Sequence, residues 1–374
     1  MRGLTEFSLD RPKLVLGAAL LITLAFLSQL PKVQTDTNPK NMLPPTSEVR
    51  VWNDDVDRTF ALYEDTIVVG ITHPQSVLNQ DTLKRVRDIT AEILTLKGVA
   101  GRDVSSLTTI DNVTAVGPDL KVAPLVMNIP QSDAAIQALR KSLFENPLFV
   151  DRIISRDEKT TAIYVPLEKG ANGKEVADRI REIIARYPGE ERYYVAGDPV
   201  ARDTFGTEMF KLMGIFSPMA GMIMFIVIYA MFRNLAPAAT MMAVAMVAII
   251  WTMGLGIGLG FPIHIMSSMV PVFLMAIATD SIHIFNEFYF RIREKKDKRT
   301  AIIETMQAVG RPVRYTALAT AAGFAVLLLM QSVPVRVFGG LIVFGTITLR
   351  LFSFSLIPAI LTFVREDKIS RSEE

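Results

Sequence analysis

Apolar residues gather in long blocks along this chain, and few charges interrupt them. No Asp, Glu, Lys or Arg occurs in residues 14–31, 212–232 or 315–335, nor anywhere from Asn234 to Thr279. Residues 337–364 are apolar apart from Arg350. A helix crossing the hydrocarbon core of a bilayer needs about 20 apolar residues. The stretch from Asn234 to Thr279 therefore holds two spans, divided at Gly260-Phe261-Pro262, and the pattern predicts six transmembrane helices. Residues 32–210 differ, because their apolar positions follow the short periods of a water-soluble domain. "EDTIVVGIT" (64–72) reads as a strand, followed by a helix to about residue 97 with Leu83, Val86, Ile89, Ile93 and Leu96 at helical spacing. A short strand near 101–107 closes a βαβ unit. Ser132 caps a helix carrying Ile136, Leu139 and Leu143, and residues 148–168 read as a hairpin turning at Arg156-Asp157-Glu158. Asn172 with Glu175 resembles a capping box. It opens a helix with Val176, Ile180, Ile183, Ile184 and Tyr187 on one face, and "RYYVAG" (192–197) is a last strand. Residues 36–58 read as linker plus a helix start, and 108–130 as a poorly defined connection.

The expected fold is an α-helical membrane protein with six transmembrane helices plus an α+β, ferredoxin-like external domain between helices 1 and 2. Its segments are 1–31 (N-terminus and first helix), 32–210 (external domain), 211–364 (helices two to six, with a basic loop at 291–314) and 365–374 (tail).

Composition sharpens this picture in few places. Half of the 374 residues are hydrophobic, and the net charge of +2 carries no nucleic-acid signature. The absence of cysteine excludes thiol-ligated metals and disulfides. His73, His264 and His283 are too scattered for a metal cluster, so neither metal nor cofactor is expected. Arg2, Arg11 and Lys13 ahead of the first apolar block could serve a secretory leader. "LSQLPKVQ" lacks a clear small-residue cleavage site, however, and the first helix is read as uncleaved. The loop 291–314 carries eight basic residues, and the tail adds Arg365, Lys368 and Arg371. Basic residues near span ends mark the cytoplasmic side, so both termini are expected there and residues 32–210 outside.

"GLGIGLG" (254–260) has the wrong order for a dinucleotide fingerprint and lacks the Lys-Ser/Thr of a phosphate loop. Gly254 with Gly258, and Gly256 with Gly260, are small-xxx-small pairs suited to close helix packing. With no nucleotide site visible, any work done by the chain needs another energy source.

That source is suggested by charges inside the spans. Asp280, His283 and Glu287 are spaced three and four apart, which places them on one helical stripe. Ionisable residues within a span are costly and mark ion or proton paths, and imidazole exchanges protons near neutral pH. The plainer readings are helix packing, and for Glu287 an aqueous position past the end of the span. Arg350, expected near the middle of the sixth span, lies at a depth close to Asp280. The two are expected to pair when Asp280 is ionised and to part when it is protonated, unless Arg350 snorkels to the headgroups. In the fifth span Thr316 and Thr320 could hydrogen-bond Asp280, while Ala317, Ala321 and Gly323 permit close helix approach.

Several of these residues resemble a known family. Asp280-Ser281-Ile282-His283, "AVGRPVRYTALATAAGF" (308–324), "GDPV" (197–200) and Pro358 are similar to one half of a resistance-nodulation-division (RND) transporter, in its MMPL-type and Patched-like branch. The resemblance implies a bacterial inner-membrane exporter of lipids or other hydrophobic molecules, driven by the proton gradient, with Asp280 as the protonation site. It also implies a sterol-sensing-domain arrangement of spans two to six. The substrate would pass from between the spans or the outer leaflet through the external domain. Such transporters have two six-span halves, so the chain is expected to pair with a second copy or a sister half, or to be a piece of a longer protein. A partner on the periplasmic side is a further expectation. Arg350 departs from the family pattern. Two other functions fit the same layout: an accessory of protein export whose external domain binds a polypeptide, and a lipid or sterol sensor that does not transport.

Overall fold

The structure, a computed structural model, describes residues 2–364 except 61–62, 64, 117–118, 127 and 295–296. Lys295, Lys296 and the tail with Arg365, Lys368 and Arg371 lie outside the described residues. Two compact units emerge, one of residues up to Arg50 together with those from Phe205 onward, the other Val51–Thr204. Residues 32–50, which the sequence assigns to the external domain, cluster with the helical unit.

The chain begins with α1 (Arg2–Asp10) and α2 (Pro12–Leu27). Pro12 sits in the first turn of α2, where its missing N–H costs nothing. Helix α3 (Glu48–Thr59) then leads to the sheet.

In the second unit, β1 (Thr66–Thr72) alternates buried and half-buried residues, with Ile67, Val69 and Ile71 fully buried, as period-two patterning requires. Helix α4 (Gln80–Ile93) is capped by Asn79, whose side chain accepts from the Thr82 amide. Next come β2 (Asp111–Val116) and β3 (Asp119–Pro124), an antiparallel pair where the sequence promised no regular element. Helix α5 (Asp133–Glu145), capped by Ser132, precedes β4 (Thr160–Pro166). Helix α6 (Gly173–Ala185), capped by Asn172, precedes β5 (Arg192–Ala196). The main sheet has the order β4-β1-β5, and both pairings are antiparallel, so β4 and β5 run the same way with β1 between them. The apolar faces of α4 and α6 share one core with β1 and β4. At Gly197, with φ +121°, a Cβ would lie 2.2 Å from the Thr66 carbonyl oxygen, so glycine is required where the chain leaves β5.

Two expectations change here. The strand near 101–107 is reduced to a 3-10 turn and single bridges, Val99 to Leu167 and Ser105 to Tyr164. Only the second arm of the 148–168 hairpin forms a regular strand. Its first arm is tightened by Asp151, with φ +61°, and by the amides of Ile153 and Ile154, which donate to the Phe149 carbonyl. The arms still pair across the expected turn: Ser155 N–H donates to the Thr160 carbonyl at 2.9 Å, Ala162 N–H to the Ile153 carbonyl at 3.0 Å, and Ile154 bridges Thr161.

The helical unit continues with α7 (Asp198–Phe232) and α8 (Leu235–Gly258), the latter capped by Asn234. The fourth span is assembled from a 3-10 turn at Ser267–Met269, α9 (Val270–Ala278), a second 3-10 turn at Thr279–Ser281 and α10 (Ile282–Arg293). Helix α11 (Lys298–Ala325), capped by Asp297, begins well before its apolar block. The sixth span is α12 (Val333–Phe354) followed by α13 (Leu356–Phe363). Among the described residues, six helical segments are long and apolar enough to cross a membrane. Phe285, Phe288, Phe352 and Phe354 are the largest fully buried side chains of their core. Trp251 links spans: its indole N–H donates to Thr23 Oγ1 at 2.9 Å, and its ring meets Phe352 edge-on at 4.8 Å.

Candidate functional site

Asp280 occupies the middle of the 3-10 turn that joins α9 to α10, half-buried, inside the apolar fourth span. A 3-10 stretch within a long helix often marks a hinge or a strained site. Next to it, the buried Ser281 places its hydroxyl 3.3 Å from that of Ser353 on α12, and Ser353 in turn donates to the Leu349 carbonyl at 2.9 Å. The hydroxyl contact brings the fourth and sixth spans together one residue from Asp280 and three from Arg350. Tight packing supports it, since a Cβ at Gly345 would come within 2.5 Å of Leu274.

Arg350 is half-buried, with its guanidinium carbon 6.0 Å from the centroid of the Phe354 ring, within cation–π range. Its Nε and Nη1 are buried and lack hydrogen-bond partners, although the Asp280 carboxylate attracts it electrostatically. Buried donors of a charged group normally find acceptors, yet among the described residues no ion pair joins Arg350 to Asp280, so the expected pairing is not formed here.

The other expected residues are distributed differently. His283 is exposed on this chain, on the side of α10 that also shows Asn286. Glu287 is not brought to Asp280. It accepts from Arg291 at 2.6 Å, and Arg291 also reaches Glu304 at 2.7 Å, a clamp between α10 and α11 that the sequence did not signal. Thr316 is exposed and donates to its own helix at the Pro312 carbonyl, 3.1 Å away, while Thr320 is half-buried. Neither shows a hydrogen bond to Asp280 among the described residues. Ala317 and Ala321 are buried.

The glycines divide similarly. A Cβ on Gly254 would strike Phe26 of α2, one on Gly256 would press Leu341 of α12, and one on Gly258 would touch Gln29. Gly260 packs against nothing within 4 Å; its φ of +82° belongs to the turn after α8, which corrects its expected packing role. Gly323 likewise has no neighbour within 4 Å. Among the described residues no group of three His, Asp or Glu could hold a metal ion.

An apolar cavity of about 650 Å³ lies within the same unit, bounded by α7, α8 and α9, with Phe210, Met222, Met246, Ile257, Pro271 and Met275 in its wall. Methionine's flexible thioether lets such a wall adapt to varied apolar shapes. The pocket was not legible in the sequence, since methionines scattered over three spans give no periodic signal.

Bundled apolar helices that hold a half-buried acid and a half-buried arginine within their spans define a multi-pass membrane protein. The sequence model of the MMPL family matches residues 66–372, and the chain belongs to that family. No curated protein matches it. Members of that family are RND-type transporters of hydrophobic substrates.

Proposed function

We propose that the chain is one half of a proton-driven exporter of lipids or other hydrophobic molecules, working in a bacterial inner membrane with both termini cytoplasmic. The observation that carries this reading is a half-buried acid, Asp280, set in a 3-10 turn of the fourth span, which attracts the half-buried Arg350 of the sixth while two buried N–H groups of that guanidinium keep no hydrogen-bond partner. Such a pair has two arrangements. An ionised Asp280 attracts Arg350, and a protonated one releases it, so proton binding changes how the fourth and sixth spans attract each other. Each proton descending the membrane potential contributes about 2.3 kcal/mol per 100 mV. The Met-rich cavity supports a hydrophobic cargo. Sheet order β4-β1-β5, with α4 and α6 packed on it, supports a ferredoxin-like external domain whose second strand is vestigial. The exposed His283 and Asn286 support a second six-span bundle, from another copy or a sister half, because polar groups facing lipid are costly.

The test is a pH-jump current recorded from the full chain in proteoliposomes on a solid-supported membrane. Asp280→Asn is expected to reduce the current at least ten-fold. An undiminished current in that variant rules out Asp280 as the proton site and favours the sensor reading.

A further inference from the structure

A pocket of about 470 Å³ opens at the start of the fifth span, between α1, α11 and the end of α12. Its volume lies within the range of small-molecule sites, roughly 300–1,000 Å³. Arg311 and Arg314, one helical turn apart, are in its wall together with Glu6, Met306, Ala308 and Phe354. Arg314 Nε donates to the Gly310 carbonyl at 3.1 Å. Neither arginine forms an ion pair with a carboxylate among the described residues. Glu6 offsets one of the two charges, leaving the pocket with one positive charge in excess. The opposite wall is fixed: α1 is held by Thr5, whose hydroxyl donates to the Phe354 carbonyl at 3.4 Å, and by Asp10, which accepts from Arg299 at 2.6 Å.

What continues from the pocket identifies its ligand. From Arg311, steps of three or four residues lead to Arg314 and Tyr315, from both of these to Leu318, and on to Ala322, along one exposed face of α11. Tyr315 is 71% and Leu318 64% exposed. Charged groups thus give way to an apolar strip as α11 enters its charge-free segment at residue 315. That sequence of surfaces matches a phospholipid, with phosphate on the guanidinium groups and an acyl chain along the strip. Arginine binds phosphate through two parallel N–H donors, and the inner leaflet supplies anionic headgroups.

We infer that this pocket binds an anionic phospholipid of the leaflet on the side of the 291–314 loop, through Arg311 and Arg314. The inference rests on the membrane-spanning assignment and not on transport. The same Phe354 ring that lies under Arg350 forms part of the pocket wall, so the lipid site and the charged pair share a side chain.

Native mass spectrometry of the full chain in an uncharged detergent, titrated with dioctanoyl phosphatidylglycerol, tests this. Wild type is expected to bind one lipid saturably. Arg311→Gln with Arg314→Gln is expected to weaken binding roughly ten- to thirty-fold. Ala308→Trp, on an exposed wall position, fills the pocket with both arginines intact and is expected to abolish binding. Unchanged binding in either variant overturns the site. Equal affinity of wild type for dioctanoyl phosphatidylcholine overturns anionic selection. Inorganic phosphate that binds as tightly as the lipid assigns the pocket to free phosphate and overturns the lipid assignment. None of these readouts depends on the pH-jump current.

Discussion

Two charged groups, the buried Glu191 and the half-buried Arg350, one in each unit, are treated in opposite ways. Glu191, buried in the Val51–Thr204 unit, is fully satisfied: Thr82 donates at 2.7 Å and Arg85 closes an ion pair. Burial pushes its carboxyl up, but hydrogen bonds from Arg85 and Thr82 outweigh this and hold it below the ordinary value of 4.5. A lowered folded-state value means that the stabilisation is complete above the unfolded value and is lost as pH falls through the folded one. Glu191→Gln should therefore destabilise that unit by about 2–3 kcal/mol at pH 7, and should remove its loss of protection in acid below about pH 4.5. Hydrogen exchange of the β1 amides in the full chain, at pH 7 and pH 4, measures both effects. Arg350 is the contrasting case, with two buried donors left without hydrogen-bond partners. Arg350→Ala is expected to change the pH dependence of the pH-jump current, and an unaltered profile would remove the switch. Asp280 and Arg350 were legible because a charge stands out in an apolar run. The clamp of Glu287 and Arg291 onto Glu304 was not, since it depends on which way the next helix folds back.

At the scale of elements, close approach distinguishes glycines that share a sequence pattern. Gly254→Ala would drive a Cβ to 2.6 Å from Phe26 Cβ and 2.7 Å from its backbone oxygen. Overpacking of this kind costs about 1–3 kcal/mol, expected as a lower melting temperature of the detergent-solubilised chain. Gly323→Ala meets nothing within 4 Å and is expected to melt with wild type. The four-residue spacing from Gly254 to Gly260 revealed small residues but not their neighbours, which belong to helices distant in sequence. Helices with caps and an apolar stripe, such as α4 and α6, were readable because both signals are local. The pair β2 and β3 was missed although Val113, Val122 and their flanks offer two short runs around Gly117-Pro118. Their exposed valines carry no alternation toward a core, which is the cue that reveals a strand.

For the whole molecule, the proposed second bundle would cover the exposed face of α10 that carries His283 and Asn286. The chain contains no cysteine, so a single introduced one reports on one contact. Asn286→Cys, placed on that exposed face, is expected to give a disulfide-linked dimer in native membranes under mild oxidation, because residues near a two-fold axis meet their own copies. Absence of the dimer would count against a second copy meeting this chain at Asn286. The six spans were legible from charge-free length alone. The interruption of the fourth by Thr279–Ser281 was not, because no proline or glycine marks it. That interruption has a geometric consequence. A 3-10 residue advances about 2.0 Å and 120°, an α residue about 1.5 Å and 100°. Winding these three residues into α geometry would therefore shorten the span by about 1.5 Å and rotate α10 by about 60° relative to α9. Asp280 sits at the pivot of that screw, and His283, one turn beyond it, is carried to a new azimuth.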